Sequence, residues 1–487
     1  MQAPWSPKHS ATSSCNATAL FSQNATSLLD AANIAQIVAH SNVSSQQKRA
    51  YAALVHSLLS DHRVNAVVIG GSVTAGTGCN DDEHGLHGAQ CSFSARFGHW
   101  MRCHYARKQL HIAHRARGGL TTAAALPLLP PMLRLFEGTA TEQEVLTDWL
   151  LVDFSSNDAA FEYYYGASPS SRRLLEMDLA STPVAAATEV MLRYLTAEHP
   201  NIPILVIESD CRSTNSSRAH EMAARRYGVP FLAYAHALTN KTGCTKSAWH
   251  LGSHSRVHPL WDTHATLGEM LAKWWQAFSA SLPTSESEPG NLAPTAKLDS
   301  AQLGPYITSA STRAPFVVCG SAMTVYDAHE AYAAARGHHN STISRRTARS
   351  PLSAVVSQGW ELYEDRPSKP GWITQGPPGA SIAFNLTFGA APRLLLLYEA
   401  GYEGWGKIHL HLGERTSHRG AQFVVVSGQR TGGENVTQAE LLAIECGADS
   451  EGGRNNHNIR PYSNATLKLV FVSKPPLRFK VLHVSSC

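Results

Sequence analysis

The chain has 487 residues, of which 43% are apolar, and a formal net charge of +4. This length exceeds what one ordinary hydrophobic core accommodates, so we expect two globular domains joined by a linker. The nearly balanced charge gives no reason to expect a nucleic-acid partner. The sequence contains no run of about 18 apolar residues, so it predicts no membrane span, and its histidines form no cluster with zinc-ligand spacing.

The first half of the chain alternates predicted strands with predicted helices. An N-terminal extension covers residues 1–50, and a helix then leads into the first strand. Predicted strands lie in the segments NAVVIG, QLHIAH, TDWLLVD, NIPILVIESD and PFLAYAHAL, and the segment PLWDTHATLGEMLAKWWQAF forms a closing helix. Strands and helices that alternate at this spacing predict an α/β domain over residues 51–280, with a doubly wound parallel sheet.

The pattern changes after a linker rich in Pro, Ser and Glu at residues 281–300. The following segments, such as SIAFNLTF, GKIHLHLG and RFKVLHVSS, are short, mostly alternating in hydrophobicity, and separated by turn residues. This pattern predicts an antiparallel β-sandwich or jelly-roll over residues 301–487.

Glycosylation sequons are more frequent than composition explains. Chance predicts about three N-x-S/T sequons, and an excess favours a secreted, glycosylated protein, although chance remains the alternative. The N-terminus has no apolar core of the signal-peptide type, which suggests a truncated or processed start. The sequons begin at Asn16, Asn24, Asn42, Asn215, Asn240, Asn340, Asn385, Asn435 and Asn464.

The nine cysteines include no C-x-x-C pair, which argues against structural zinc and redox motifs. In a secreted chain we expect most of them to form disulfides, with one left over. Cys79 and Cys91 bracket a short polar loop and are predicted to be bonded to each other.

Polar and glycine residues follow the first three predicted strands. Ser72 follows the first strand, Gly118–Gly119 the second, and Asn157 the third. The carboxyl ends of parallel strands form the binding crevice of such sheets. A serine nucleophile needs an adjacent base, usually histidine, and acyl transfer needs donors for the developing oxyanion. His258 and His264 stand near the start of the closing helix and are the candidate bases.

These residues, in this order, resemble the SGNH/GDSL family of serine hydrolases, whose motifs carry Ser, Gly, Asn and His in turn. The four motifs correspond here to Gly70-Gly71-Ser72, to RGGLTT with Gly119 as its better match, to Ser155-Ser156-Asn157-Asp158, and to Ser255-Arg256-Val257-His258-Pro259. The resemblance covers about residues 60–280. It implies a flavodoxin-like sheet, an acylated substrate, and no metal or organic cofactor.

The resemblance also implies a role for each matching residue. Ser72 is the nucleophile and His258 the base, and the oxyanion hole consists of the backbone N–H groups of Ser72 and Gly119 and the Asn157 amide. The sequence departs from the family pattern at Gly71, where the family has aspartate, and at Ser255, where it has the triad acid. Two interpretations therefore remain: the protein uses a Ser–His dyad, or it is inactive.

Each of these residues also has a structural interpretation. Ser72 and Asn157 are residue types that cap helices or turns, and His258 is a polar residue near a helix start. Asp158 fits a cap better than a catalyst. His264 fits a structural role, but with Asp262 it forms an alternative base and acid.

Five aromatic residues of the second domain either pack in its core or stack on sugars: Trp360, Trp372, Tyr398, Tyr402 and Trp405.

The function that the sequence favours is that of a secreted serine esterase acting on a glycan O-acetyl group. An O-acyltransferase and an inactive glycan-binding or cell-wall protein are the alternatives.

Overall fold

The structure is a computed structural model. It describes residues 21, 28–60, 62–105, 110–136, 144–165, 178–211, 214–239, 249, 258–282, 303–313, 316, 318, 324–335, 356–366, 369–401, 403–414, 423–430, 437–446 and 459–487.

The first half of the chain is an α/β region, as predicted. Its strands are β1 (Val64–Gly70), β2 (Asn80–Asp81), β3 (Leu86–His87), β4 (Leu110–His114), β5 (Arg134–Phe136), β6 (Glu144–Leu146), β7 (Trp149–Asp153), β8 (Ile204–Glu208) and β9 (Phe231–Ala233). Its helices are α1 (Ala31–His40), α2 (Ser45–Leu59), α3 (Phe93–His104), α4 (Thr122–Ala125), α5 (Leu129–Leu133), α6 (Ser155–Tyr165), α7 (Pro183–Glu198), α8 (Asn215–Arg226), α9 (Tyr234–Ala237) and α10 (Trp261–Ser281).

Five of these strands form one parallel sheet in the order β4-β1-β7-β8-β9. Counted along the chain, the order is 2-1-3-4-5, so the direction of winding reverses beside β1. Open parallel sheets bind ligands at this reversal, outside the carboxyl ends of the strands. The predicted fifth strand is shorter than expected, because the chain turns into α9 directly after Ala233.

Strand β1 shows why the sheet is covered on both faces. All seven of its residues are buried. Ala66 and Val68 lie in the core beneath α2, α3 and α10, whereas Val67 and Ile69 lie in the core beneath α4, α5 and α7. Successive side chains of a strand point to opposite faces, so a continuous apolar run fits a sheet covered on both sides.

The second half is a β region that begins with β10 (Thr324–Asp327) and α12 (Ala328–Ala335), after the short helix α11 (Ala310–Arg313). Its other strands are β11 (Val356–Gln358), β12 (Glu361–Glu364), β13 (Pro370–Thr374), β14 (Ser381–Thr387), β15 (Arg393–Ala400), β16 (Lys407–Glu414), β17 (Phe423–Ser427), β18 (Gln438–Glu445), β19 (Asn464–Phe471) and β20 (Phe479–Ser486).

These strands form two antiparallel sheets, as predicted. One has the order β12-β13-β20-β15-β18, with β10 also paired to β20, and the other has the order β11-β14-β19-β16-β17. The two sheets share one hydrophobic core. Trp360, Trp372, Tyr398 and Trp405 are buried. The interpretation of these four rings as a sugar-stacking face is therefore wrong, and Tyr402 lies outside the described residues.

The α/β and β regions are packed against each other. Leu397 and Ala439 of the β region belong to the same core as Val67. Arg117, which follows β4, forms an ion pair with Asp327 at 2.9 Å. Burial alone would raise the pKa of Asp327, but the charges of Arg117 and His483 hold that pKa far below its usual range.

The predicted disulfide between Cys79 and Cys91 is confirmed. Cys103, Cys211 and Cys487 are also disulfide-bonded. Cys446 is free and buried. Across the described ranges, the helices are all too short or too polar to cross a membrane.

Candidate active site

The structure brings Ser72, Gly119 and Asn157 together at the carboxyl edge of the parallel sheet. They follow β1, β4 and β7, which are neighbours in the sheet. The backbone N–H of Ser72 lies 3.3 Å from Asn157 Oδ1, and the Ser72 hydroxyl lies 3.4 Å from the same oxygen. Ser72 is largely buried, with 9% of its surface accessible to solvent.

The loop that carries Ser72 is held from below by the end of β7. The Thr74 hydroxyl donates to the buried carboxylate of Asp153 at 2.8 Å, and the Gly71 N–H donates to the Asp153 carbonyl at 3.1 Å. Burial raises the pKa of Asp153. Residues 71–78 form turns rather than a helix, so Ser72 does not cap one.

Asn157 lies within the first turn of α6 and is not its cap. Its amide presents Oδ1, an acceptor, to both Ser72 groups. The oxyanion hole expected from the resemblance needs a donor at this place, and a half-turn of the amide would supply Nδ2 instead. The oxyanion role of Asn157 therefore stays a prediction.

Gly119 has a positive φ of 83°, a region that favours glycine. Its carbonyl accepts a hydrogen bond of 3.0 Å from the Ala439 N–H of β18. A Cβ at Gly119 would lie 3.3 Å from the Thr437 carbonyl oxygen. The close approach of the β region therefore adds to the requirement for glycine.

His258 lies at the start of the segment that leads into α10, and it is half-buried. A Cβ built on Gly78 would lie 3.3 Å from the Cβ of His258, so the histidine packs against the end of the Ser72 loop. Burial, followed by the nearby charge of Lys369, lowers the pKa of His258. A neutral imidazole is the form that accepts a proton from serine. Ser255 lies outside the described residues.

His264, the alternative base, is fully buried in α10. Its Nδ1 accepts the Phe93 N–H at 3.3 Å, and its ring is stacked on Phe93. Burial, with the charge of Arg96, lowers the pKa of His264 to about 3. These contacts give His264 a structural role. Asp262 accepts the Thr263 N–H in the first turn of α10.

Sequence reasoning missed a buried network behind Asn157. Asp158 accepts the N–H and hydroxyl of Thr122, at the start of α4, and contacts His220 Nε2 at 3.0 Å. The other ring nitrogen of His220 lies 2.7 Å from Glu208. Asp158 thus supports the start of α4, in line with its expected capping role. No sequence motif would have predicted that His220 and Glu208 take part in this network.

Two residues of the β region also reach the site. The Gln438 side-chain amide donates to the Asn157 carbonyl at 3.1 Å, although the two residues are 281 positions apart. Lys369 lies beside Gly118, with its Cε 2.6 Å and its Nζ 3.1 Å from the point that a Cβ on that glycine would occupy. Neither residue belongs to the motifs of the α/β region.

Comparison with models of protein families finds no match, and comparison with curated protein sequences finds none either. Among solved structures, the chain is similar to a two-domain esterase (CEX) active on acetylated mannans. The TM-score is 0.51 at 12% identity, over 90% of this chain and 95% of that one. The same esterase co-crystallised with mannopentaose gives a TM-score of 0.50 at 12% identity, over 90% and 94%.

Axe2, an acetylxylan esterase from Geobacillus stearothermophilus, has a TM-score of 0.31 at 15% identity, over 43% of this chain and 93% of that chain. That score does not establish a shared fold. The similarity to the two-domain esterase does, and it extends over both the α/β region and the β region of the present chain.

Proposed function

We propose that the protein is a secreted serine esterase of the SGNH type that removes O-acetyl groups from a glycan. The observation that carries this proposal is the convergence of Ser72, Gly119 and Asn157 on neighbouring strand ends, with His258 packed against the same loop. The fold shared with an esterase active on acetylated mannans supports an ester of a carbohydrate as the substrate.

In the proposed reaction, His258 takes the proton from the Ser72 hydroxyl as its oxygen attacks the acetyl carbonyl. The oxyanion replaces Asn157 Oδ1 as the acceptor for the Ser72 N–H, with the Gly119 N–H and a turned Asn157 amide as further donors. His258 then protonates the departing sugar oxygen, which leaves an acetyl-serine. Water attacks this ester and gives its proton to His258, which returns the proton to the departing Ser72 oxygen as acetate is released.

The domain boundaries proposed are 1–50 for the extension, 51–280 for the hydrolase, 281–300 for the linker and 301–487 for the β domain. Secretion, or residence in the lumen of the secretory pathway, is supported by two observations. Asn42 and Asn464, which begin sequons, are exposed, and the described cysteines are mostly disulfide-bonded. Disulfides persist in oxidising compartments.

The test is a set of variants assayed for acetate release from p-nitrophenyl acetate and from an acetylated glycan. Ser72→Ala should abolish turnover and labelling by a fluorophosphonate, and His258→Ala should lower kcat by at least about 100-fold. Ser255→Asp should preserve or raise the rate of the wild type, with Ser255→Ala assayed beside it, because a carboxylate stabilises the imidazolium better than a neutral group.

Labelling that persists in Ser72→Ala would show that another residue is the nucleophile. Full activity of His258→Ala would transfer the role of base to another group. An acetyl group delivered to an added sugar in place of water would identify a transferase instead of a hydrolase.

A further inference from the structure

A lysine of the β region lies beside Gly118, close to the proposed nucleophile. Lys369 directly precedes β13. A Cβ built on Gly118 would lie 2.6 Å from Cε and 3.1 Å from Nζ of Lys369. The same point lies 3.8 Å from the Cβ of Ser72. The absence of a side chain at Gly118 therefore leaves the space that the end of the Lys369 side chain occupies. Any larger residue there would have to displace the lysine side chain.

The ammonium group of Lys369 has no ion-pair partner within the part of the chain that the structure describes. The acidic groups nearest to it are engaged with other cations. Glu399 contacts Lys480 at 3.2 Å and also pairs with Arg366, and Asp365 is bound by Lys480. Burial lowers the pKa of Lys369 to about 8, which leaves the group mainly protonated at neutral pH.

The charges of Glu399 and Asp365 act on Lys369, but neither carboxylate forms an ion pair with it. A cation that is partly withdrawn from water and has no close ion pair favours an anionic ligand, because the ligand replaces lost hydration with a charge-assisted hydrogen bond. We propose that Lys369 forms an anion-binding position beside Ser72, and that the substrate is an acylated glycan with a carboxylate close to its ester. This inference rests on the proposed esterase function, and it names the substrate class that the β region selects.

The test compares two small acetyl esters of the same shape, 4-acetoxybenzoate and 4-acetoxybenzamide, of which the first carries a negative charge and the second none. The wild-type protein should show a higher kcat/KM for the benzoate, by about tenfold, which is typical of one charge-assisted hydrogen bond. Lys369→Met should remove this preference, Lys369→Arg should retain most of it, and Lys369→Glu should reverse it. The preference should also decline as salt is added.

Lys468→Met is the matched control, because it removes the same charge from an exposed position on β19. It should leave the preference unchanged. If Lys369→Met lowers kcat/KM for both esters equally while its Tm is unchanged, the lysine acts on the oxyanion or on the pKa of His258, and the inference is wrong. A wild-type protein that does not distinguish the two esters would also overturn it.

A binding measurement separates this inference from the proposed function. Titration of the wild-type protein and Lys369→Met with 4-hydroxybenzoate and 4-hydroxybenzamide requires no turnover. Charge-selective binding that depends on Lys369, in a protein without esterase activity, would contradict the proposed function alone. Equal binding of both compounds by an active esterase would contradict the anion-binding position alone.

Discussion

The backbone at Gly71 runs so close to Asn157 that no side chain fits between them. A Cβ at this position would collide with Asn157 Oδ1, would lie 2.8 Å from its Cγ, and would lie 3.2 Å from the Leu120 carbonyl oxygen. The SGNH/GDSL motif has aspartate at this position, and the contact with Asn157 explains why a side chain does not fit there in this protein. The Asn157 side chain fills the space that a larger residue at position 71 would need.

Gly71→Ala should therefore push the Asn157 side chain away from Ser72. We expect kcat to fall by about 100-fold, the cost typical of one lost oxyanion-hole donor. The measurement is kcat for an acetyl ester beside the Tm of the same sample. Gly413→Ala is the control, since a Cβ there meets nothing within 4 Å. Unchanged kcat in Gly71→Ala would show that the position of Asn157 does not matter for turnover.

At the scale of secondary-structure elements, one histidine joins three of them. His220 of α8 lies between Glu208, at the end of β8, and Asp158, in the first turn of α6. Each ring nitrogen of His220 faces a carboxylate oxygen. Each of these two contacts is a hydrogen bond only if a proton lies between the nitrogen and the oxygen. Burial alone would lower the pKa of His220, but the Glu208 charge and the two hydrogen bonds raise it to about 10.

The sign of the pH dependence follows from this raised pKa. Protonated His220 stabilises the folded protein fully below pH 6.5, the ordinary value for histidine, and this contribution is lost as the pH rises towards 10. Burial raises the pKa of Glu208 to about 7. The stability that depends on protonated Glu208 is therefore also lost as the pH rises, but at a lower pH than the His220 contribution. The free-energy advantage of the wild type over His220→Gln should thus shrink between pH 7 and 10, by up to about 1.4 kcal/mol per pH unit.

Denaturant unfolding at several pH values measures this difference. His264→Gln is the matched control, because the pKa of His264 is lowered to about 3 and the residue stays neutral throughout this range. Its difference from the wild type should not vary with pH. A constant difference for His220→Gln would mean that His220 is neutral in the folded protein.

At the scale of the whole molecule, the β region contacts the loops of the candidate site directly. Strand β18 is an edge strand of its sheet, and its outward Ala439 N–H donates to the Gly119 carbonyl. The neighbouring Gln438 side chain donates to the Asn157 carbonyl. An edge strand exposes unpaired backbone groups, and here the Gly119 loop satisfies one of them. Both regions therefore contribute to the candidate site.

Gln438→Met should remove the hydrogen bond to Asn157 and leave a buried carbonyl without it, which costs about 1–3 kcal/mol. We expect a lower kcat for acetyl esters together with a modest loss of Tm. Thr374→Val is the comparison, since it removes a 2.6 Å hydrogen bond to the Gly359 carbonyl at the far end of β13. It should lower Tm without lowering kcat. Equal kcat in both variants would argue against support of the site by β18.

Much of the α/β region was predictable because its signals are local. A strand covered on both faces must be apolar along its length, as β1 is, and the polar residue after it must lie at the sheet edge. The same reasoning predicted β4, β7 and β8, and the short loop between Cys79 and Cys91 predicted their disulfide. Each of these inferences depends on neighbours within a few residues or on the repeated strand–helix pattern.

The sequence by itself determined which strand ends carry Ser72, Gly119 and Asn157, because hydrophobic periodicity and chain order decide which loops share an edge. Only the tertiary structure decided that Gln438, Lys369 and His220 reach these loops, and that the aromatic rings of the β region are buried. Contacts between residues hundreds of positions apart leave no periodicity or spacing in the chain. They arise from packing one sheet edge against another, and that packing is specified by many weak interactions together.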